Sequence, residues 1–545
     1  MQQIINVGVV AGDGTGDKGQ VPFSKVNANF AQLYAQTFNA VANFGADPTG
    51  VLDSTAAIQA AIVAARVAGG TVYLPQGTYK TSSTLAVGDF STGVYIQGAG
   101  VQATVIMPTA GVTVALSFGV SGAENQGFSA LSINCVNATS CIAVAVNNIE
   151  FFYADNFLIN QANIGISIVG GVVQFFTRFN INRSISDGVV IVGGGDQYFS
   201  NGVMSSVGFL QPTGAGINIQ ASGGVWLLNL DIISQGSGLL LDPAAGQIVE
   251  FLFAVNCAFD TNSQSGINIQ PTGSGQVNLC SFTACWSASA SAFGVFTGGT
   301  GSINGVRFNG LRCINNQLHG VVLNSNAQNI TFNDCDISGN GAPVSPWSST
   351  TQYSIGNLVT LSGTTYQAIA PSLNQTPPNA SFWSVFAVTA YNGILVEANM
   401  ATFSVTHSRV GAEGGLTTTQ TNGIFISAGT SNAYTVIGND LRGNITSALV
   451  DGGTGTTKAI SQNLGYNPIG STAITVTGSP FSFQNNTGGP IAIMLSASGS
   501  TISAVTIESQ GTGGVFAGQF TVPQGATMVV TYTGGTPTMV YFGLN

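Results

Sequence analysis

A glycine followed by alternating apolar residues recurs through most of the chain at nearly regular intervals. The motif begins at Gly165, Gly188, Gly216, Gly238, Gly266, Gly294, Gly320, Gly393 and Gly423. The successive spacings are 23, 28, 22, 28, 28, 26, 73 and 30 residues. A unit of this length holds two or three short β runs and cannot bury its apolar face alone, so neighbouring units stack and share one core. The repeat therefore predicts an all-β chain that is built mainly of a parallel β-helix.

Composition agrees with a folded, β-rich chain and argues against several classes of protein. Of the 545 residues, 44% are hydrophobic, 6% are charged and 73 are glycine, so residues that favour helices are scarce. The net charge is −10 and the 11 basic residues are scattered, which argues against nucleic-acid binding. The sequence contains no run of about 18 consecutive apolar residues, so it predicts no membrane span. The opening MQQIINVGVV lacks the features of a secretory signal.

Seven cysteines lie between Cys135 and Cys335, mostly beside apolar, strand-like residues. An odd count at irregular spacings predicts buried thiols in a chain made in a reducing cytoplasm, rather than a disulfide framework or a metal cluster. The sequence predicts neither a metal site nor a cofactor.

One spacing in the repeat is anomalous and predicts an insertion. The 73 residues between Gly320 and Gly393 equal one unit of 28 plus 45 further residues, and we assign the insertion to 344–386. This aromatic-rich segment resembles small carbohydrate-binding modules of the chitin-binding type. Asn357 stands where that type of module has an acidic residue. The matching positions are Trp347, Tyr353, Gly356, Val359, Gly363, Tyr366, Ala368, Asn374, Pro377 and Trp383.

The resemblance makes Trp347, Tyr366 and Trp383 candidates for stacking on sugar rings. The alternative is that these side chains form the small core of the module, because a segment of 45 residues has little else to bury. The sequence leaves both interpretations open.

Two helices are predicted near the N-terminus. In residues 21–38, apolar side chains follow the spacing of a coiled-coil seam, at Phe23, Val26, Phe30 and Leu33. The stretch from INVGVV to NFAQLYAQ resembles the N-terminal segment by which phage tail proteins attach to the virion, and we assign it to residues 1–40.

The second helix is predicted at residues 53–69, from Asp53-Ser54-Thr55 to the stop at Gly69. With the following GTVYLPQGTY, it resembles the opening of the pectate-lyase-like superfamily, in which such a helix caps a right-handed parallel β-helix. The β-helix would occupy 41–343 and 387–465. From residue 466 the repeat gives way to alternating strands, which predict a small antiparallel β-sandwich at 466–545. This last region resembles the C-terminal domain of phage tailspikes, which implies a homotrimer.

An internal alignment of neighbouring coils predicts a column of outward side chains. Setting NITFNDCDISGNG (329–341) against ATFSVTHSRVGAEG pairs Asp336 with Arg409 and Asp334 with His407. Neighbouring strands lie about 4.8 Å apart, so we expect residues that share a row to form one column on the surface. In chain order the row contains Asp231, Ala258, Trp286, Arg312, Asp336, Arg409 and Asp440.

The column has a structural and a functional interpretation. Its charges alternate in sign from Arg312 to Asp440, so it could be a ladder of surface salt bridges that each contribute little. The functional interpretation is a sugar-binding and catalytic face, in which Trp286 stacks on a ring and Arg312 and Arg409 bind hydroxyl or acidic groups.

In the functional interpretation, Asp336 acts with Asp334 or Asp440 as acid and base, since glycosidases use pairs of carboxyls. His407 is the candidate base of an elimination. Glu397, four residues past a repeat glycine, is a further candidate for substrate binding.

The resemblances together imply a phage tailspike that depolymerises a bacterial surface polysaccharide by endo-glycosidic cleavage. The alternatives are a polysaccharide lyase on the same fold, a glycan-binding adhesin without catalysis, and a structural fibre protein. The implied partners are the polysaccharide, other copies of the chain and, through the N-terminus, the phage tail or baseplate. The expected location is the virion tail. The polygalacturonase motifs are absent from the sequence, so the catalytic assignment rests on the outward column.

Overall fold

The computed structural model describes residues 14–15, 24–26, 37–88, 93–119, 122–207, 212–387, 390–412, 419–466 and 471–544. The chain divides into two compact units, Met1–Asp231 and Ile232–Asn545. Strands dominate both units, which confirms the all-β prediction. Among the described residues, Thr55–Ala68 form an α-helix and residues 24–26 are also helical. In the helix predicted at 21–38, residues 21–23 and 27–36 lie outside the described ranges, and Thr37 and Phe38 belong instead to the strand Thr37–Asn39.

In the first unit, parallel strands stack coil upon coil in two sheets. The first sheet contains Thr37–Asn39, Thr49–Asp53, Gly70–Leu74, Gly77–Thr81, Val94–Gly98, Thr104–Pro108, Ala123–Asn134, Ile149–Asn160, Val172–Asn182, Gly195–Ser205 and Val225–Ile233. The second sheet contains Leu85–Gly88, Val114–Phe118, Ile142–Asn147, Ile164–Val169, Val189–Val192 and Ala215–Ala221. Stacking of successive coils in parallel register is the β-solenoid that the repeat predicts.

The helix Thr55–Ala68 buries one narrow stripe, formed by Ile58, Ala61, Ile62 and Ala65. It begins at Thr55 rather than at Asp53, because the Asp53 carboxylate accepts hydrogen bonds from the Thr55 amide (3.0 Å) and the Ser82 hydroxyl (2.6 Å). These donors lower the pKa of Asp53 to about 2. Gly69 ends the helix with a φ of 64°.

The second unit is itself a parallel β-solenoid of the right-handed type, with three sheets of short strands. The first sheet contains Leu252–Val255, Ala258–Asp260, Ser281–Thr283, Trp286–Ala288, Arg307–Asn309, Arg312–Ile314, Ile330–Asn333, Asp336–Ser338, Phe403–Thr406, Arg409–Gly411, Thr435–Ile437 and Ala459–Ser461. The second contains Ser237–Leu241, Ile267–Ile269, Val295–Thr297, Val321–Leu323, Asn392–Val396, Asn422–Gly429 and Ser447–Gly453. The third contains Ile248–Glu250, Gln276–Asn278, Ser302–Asn304 and Ala327–Gln328.

The repeat glycines are required by the close approach of neighbouring coils. A β-carbon on Gly238 would lie 2.6 Å from the carbonyl oxygen of Gly266, and one on Gly320 would lie 2.6 Å from that of Gly393. Since real β-carbons do not come so close to a carbonyl oxygen, only glycine fits where these backbones cross. The apolar residues after each glycine, such as Ile267 and Ile269, point into the core.

The core of the second unit is built from columns of identical or similar side chains. Phe282, Phe308 and Phe332 stack on one another, with ring centroids 4.9 and 4.7 Å apart. Stacking of aromatic rings adds stability beyond the burial of their area. At a buried corner, Asn316 donates to Asn340 (2.9 Å), whose side chain donates in turn to Gln420 (2.9 Å).

The long spacing in the repeat corresponds to a segment that leaves the solenoid and returns in register. Val321 pairs with Ile394 and Ile330 pairs with Phe403, so neighbouring coils are joined across the 73-residue interval. The segment between them forms two small antiparallel sheets. Their strands are Gln352–Tyr353, Leu358–Leu361, Thr364–Ala368, Ser372–Leu373 and Trp383–Val385.

The C-terminal strands form two four-stranded antiparallel sheets. One contains Thr472–Ile474, Ile491–Ser496, Gly518–Val522 and Thr538–Gly543, and the other contains Phe481–Gln484, Ser500–Ile507, Gln510–Gly511 and Thr527–Gly534. Both sheets contribute to one buried cluster, which includes Ile493, Phe520, Val505 and Met528. In the part of the chain that the structure describes, no helix has the length and apolar character needed to cross a membrane.

Candidate functional site

The outward column predicted in the second unit is present in the observed strand register. Trp286 pairs with Arg312, Arg312 with Asp336, and Asp336 with Arg409. A further parallel bridge joins Arg409 to Asp440. The internal alignment of the coils is therefore confirmed. The structure brings these five side chains together in a single row of neighbouring strands, which we call the charged column.

Asp334 and His407 occupy the same position in neighbouring coils, in a turn beside the charged column. Both have the left-handed backbone conformation, with φ of 52° and 50°, and both side chains are exposed. This turn redirects the chain between two short strands of one coil, and the equivalent residue of the next coil is Gly438, with φ of 71°. Asp334 is two residues before Asp336, so the turn and the column form one continuous surface. The Asn333 side chain donates to Asp334 at 2.9 Å.

Asp336 is the most enclosed carboxylate of the charged column, with 17% of its side chain exposed. The Ser338 hydroxyl donates to its Oδ1 at 2.8 Å. Arg312 Nη2 lies 3.7 Å from its Oδ2. Asp336 is thus held between a buried hydroxyl and one guanidinium, with Arg409 on the next strand.

Asp440 is engaged differently from the prediction. Its Oδ1 accepts from Arg442 Nε and its Oδ2 accepts from Arg442 Nη2, both at 2.8 Å. The Arg442 guanidinium lowers the pKa of Asp440 below its usual range. A carboxylate that is ionised and bidentately bound is unsuited to act as a general acid, which leaves Asp334 as the better candidate for the acid that works with Asp336. The signal was in the sequence, because Arg442 follows Asp440 by two residues on the same face.

An open depression of about 290 Å³ adjoins this end of the charged column. It is lined by Arg409, Ala412, Asp440, Arg442 and Gly443. With Arg312, three arginines thus face the surface around Asp336. Trp286, 44% exposed, stands at the opposite end of the column. Cationic and aromatic side chains beside a pair of carboxylates suit a polar, ring-containing ligand.

Glu397 and the second histidine lie away from the charged column. Glu397 is exposed and follows Asn392–Val396, a strand of the second sheet, whereas the column belongs to the first. The structure therefore does not bring Glu397 to the predicted site. His319 stacks on Phe293 with ring centroids 5.8 Å apart, and its Nδ1 accepts from the Asn392 amide at 2.9 Å. Burial lowers the pKa of His319 to about 4, so it is a neutral structural residue at neutral pH.

The three aromatic candidates of the segment 344–386 divide into one core residue, Trp383, and two residues at the margin, Trp347 and Tyr366. Trp383 is only 2% exposed, and its Nε1 donates to the Gln375 carbonyl at 2.7 Å. The prediction that Trp383 contacts a ligand is therefore wrong, because the ring is buried among Tyr353, Val359 and Ala368. Trp347 and Tyr366 are partly buried against the same cluster.

The first unit has an outward aromatic column that the sequence analysis did not identify. Tyr153, Phe175, Tyr198 and Trp226 stack in order, with ring centroids 5.4, 4.8 and 4.6 Å apart. The strand register gives each ring a neighbour directly above or below. The faces of the inner rings are covered by neighbouring rings, so the column stabilises the stack of coils. The sequence pattern that would have predicted this column is an aromatic residue at the equivalent position of successive coils.

A depression of about 380 Å³ lies between the last solenoid coil and the C-terminal sheets, and the Asp451 carboxylate in its lining is already engaged. Lys458 donates to Asp451 Oδ2 at 2.6 Å, and the Tyr434 hydroxyl donates to Asp451 Oδ1. Lys458 is only 2% exposed, so this ion pair is a buried structural link. Among the described residues, no group of three or more histidine, cysteine, aspartate or glutamate side chains could hold a metal ion.

Comparison with known proteins relates the chain to pectate-lyase-like proteins. The family model described as "Rhamnogalacturonase A/epimerase, pectate lyase-like" matches residues 38–278. The mannuronan C5-epimerase AlgE4 of Azotobacter vinelandii is 52% identical over 71 residues, which cover 12% of this chain and 13% of the epimerase. The chain thus spans only a small part of this curated relative.

Among solved structures, the Dettilon tailspike protein superposes with a TM-score of 0.56 at 12% identity, covering 97% of this chain and 96% of the tailspike. The tailspike protein of E. coli bacteriophage HK620, solved with a pentasaccharide, covers 94% of each chain with a TM-score of 0.48 at 14% identity. At such low identity, the Dettilon match shows a shared fold. The family model thus matches less than half of the chain, at residues 38–278, and the Dettilon superposition shows that the chain has the β-solenoid fold of that tailspike protein.

Proposed function

We propose that this chain cleaves a bacterial surface polysaccharide by endo-glycosidic hydrolysis at the charged column. The observation that carries the proposal is the position of Asp336, which is half-buried between Ser338 and Arg312 with the exposed Asp334 two residues away. Two residues separate backbone positions by at most about 7 Å. That separation lets the two carboxyls reach the roughly 6.5–9.5 Å that inverting glycosidases use.

We assign the base to Asp336, because its neighbours are cationic and a carboxylate in that setting can activate water. The exposed Asp334 would donate a proton to the leaving glycosidic oxygen. Arg312 and Arg409 would bind hydroxyl or acidic groups of the glycan, and Trp286 would stack on a sugar ring at one end of the column. The lyase alternative assigns the base to His407, which adjoins Asp334 on the next coil.

We further propose that the chain works as a homotrimeric tailspike in a virion tail. Support comes from the superposition over 97% of this chain on the Dettilon tailspike protein and from the N-terminal resemblance to tail attachment segments. In this proposal residues 1–40 attach to the tail or baseplate, 41–343 and 387–465 form the solenoid, and 466–545 join the three copies. Residues 344–386 would be a carbohydrate-binding module, with Trp347 and Tyr366 as its remaining candidate sugar contacts. Glu397, which lies in the solenoid outside this module, would be a peripheral contact to the polysaccharide.

The direct test is to incubate the purified full chain with surface polysaccharides from candidate hosts. A fall in viscosity together with new reducing ends, and without unsaturated uronates, is the expected result. Unsaturated products would show that the chain cleaves by elimination and not by hydrolysis. Retention on a polysaccharide that stays uncleaved would show that the chain is an adhesin. Failure to bind or cleave any surface glycan would contradict the proposal.

A further inference from the structure

A cleft of about 460 Å³ lies between the segment 344–386 and the solenoid, within the second unit. One wall comes from the solenoid and includes Phe293 and Phe296, which stack with ring centroids 5.2 Å apart. The other wall comes from the inserted segment and includes Gln367 and the exposed Ile369. A volume in the range of roughly 300–1,000 Å³ is typical of small-molecule sites.

The two walls are fixed to each other by contacts beside the cleft. Asn357 Nδ2 donates to Ser291 Oγ of the solenoid at 3.1 Å. A β-carbon on Gly356 would lie 2.4 Å from the carbonyl oxygen of Ser263, so the backbones of the segment and the solenoid meet there.

The lining of the cleft is polar but uncharged. Of the 13 described residues that line it, none is acidic, basic or histidine. Amides and hydroxyls predominate on the polar side, and Gln270 donates to Asn268 at 2.7 Å there. The Ser263 hydroxyl is buried, with the residue 1% exposed, and has no hydrogen-bond partner. A buried polar group without a partner is costly, and this one belongs to a residue in the wall of the cleft.

The cleft differs from the charged column in both chemistry and location. The column holds Arg312, Asp336 and Arg409 on the first sheet, whereas Phe296 belongs to Val295–Thr297 of the second sheet. Amide and hydroxyl groups that both donate and accept match the hydroxyls of a sugar, and the apolar wall matches the carbon-bound face of its ring. An anionic group would be desolvated in the cleft without a cation to pair with.

We infer that this cleft is a subsite for a neutral sugar segment, separate from the charged column and formed jointly by the inserted segment and the solenoid. The inference rests on the proposed glycan function and deepens it. The subsite would retain a neutral part of the polysaccharide while the column engages the part to be cleaved. Loss of the cleft would therefore weaken glycan binding and raise KM, and it would leave kcat unchanged.

The test uses the full chain on an array of neutral and acidic bacterial oligosaccharides. Gln367→Glu places a charge in the cleft from the segment side, and Phe296→Ala removes the aromatic wall from the solenoid side. Gln352→Glu makes the same charge change on the same segment away from the cleft, and it is the matched control. Both cleft variants should bind neutral glycans about tenfold more weakly or worse, the scale of 1.4 kcal/mol. Gln352→Glu should bind as the wild type does.

Unchanged binding of neutral glycans by both cleft variants would overturn the inference, and so would a wild-type chain that binds no neutral glycan. Melting curves establish that each variant is folded. Because the two substitutions alter opposite walls of the cleft, a loss of binding in both variants is attributed to the cleft and not to a local effect of one substitution. Cleavage is measured separately. If the cleft variants lose binding and no polysaccharide is cleaved, the hydrolytic proposal fails and the subsite stands. If polysaccharide is cleaved and the cleft variants have an unaltered KM, the subsite fails and the hydrolytic proposal stands.

Discussion

Arg442 binds both carboxylate oxygens of Asp440, with Nε and Nη2 each 2.8 Å from an oxygen. This pair closes one end of the charged column and leaves Asp336 as its only enclosed carboxylate without a bidentate partner in the described coils. The two carboxylates of one column therefore have different expected roles, which substitution can separate.

Asp440→Asn should change turnover by less than about threefold, because the wild-type carboxylate is already bound by Arg442 and unsuited to proton transfer. The free energy of unfolding should fall by less than about 1 kcal/mol, since Arg442 is largely exposed. Steady-state kinetics and denaturant unfolding measure the two effects. Arg442→Gln is the matched control and should show the same small changes in turnover and stability. A turnover loss of about a hundredfold in Asp440→Asn would instead show that Asp440 takes part in catalysis.

Asp336→Asn should lower kcat by about a hundredfold or more, the usual scale of general acid–base catalysis. The melting temperature should hardly change, because asparagine can still accept from Ser338 and the Arg312 contact is long, at 3.7 Å. Asp334→Asn should show a similar loss in kcat. Wild-type turnover in both variants would mean that the column is only a ladder of salt bridges.

His407→Ala should leave hydrolysis within about threefold of the wild type if the two aspartates carry out proton transfer. The side chain is exposed on a turn, so its removal should not affect folding. The assay must record reducing ends and unsaturated uronates together. A loss of about a hundredfold, with unsaturated products in the wild type, would identify His407 as the base of an elimination.

Trp383→Ala should destabilise the inserted segment by roughly 3–5 kcal/mol, the cost of removing a large aromatic side chain from a core. The solenoid should stay folded, since its coils pair directly across the segment at Val321 and Ile394. Calorimetry should therefore show an early transition separate from the main one. Tyr366→Ala, at the margin of the same cluster, should cost less; equal costs for both would contradict the distinction between core and margin.

Lowering the pH should destabilise the second unit through His319. Its pKa is about 4 in the folded chain against 6.5 for the free side chain, so the unfolded chain binds the extra proton between these values. Stability from this residue is complete above about pH 6.5, falls as the pH drops towards 4, and then levels off, with a total loss of about 3 kcal/mol. Unfolding of the wild type and of His319→Gln across this pH range tests the effect. A wild-type pH dependence that survives unchanged in the variant would assign it to other groups.

The repeat allowed much of the fold and the layout of the charged column to be predicted from the sequence. In a solenoid, residues at equivalent points of successive coils become neighbours, so aligning the chain with itself gives spatial contacts. That is why Asp336 could be paired with Arg409, and Asp334 with His407, without coordinates. The same regularity located the insertion, because Gly320 and Gly393 are separated by one coil and an excess of residues.

The tertiary structure decided which of these side chains are available. Whether Trp383 faces a ligand or the core depends on how short strands of the insertion pack around it, and no periodicity encodes that packing. Whether the Asp440 carboxylate is available to a substrate depends on the conformation of Arg442. Arg442 lies outside the aligned row, so the alignment carries no information about this contact. The neutral cleft has residues from two parts of the chain about 100 positions apart, such as Ser263 and Gln367, and these meet only because Asn357 and Gly356 dock on the solenoid. Sequence periodicity fixes neighbours within the repeat, whereas contacts between the repeat and an insertion are set by three-dimensional packing.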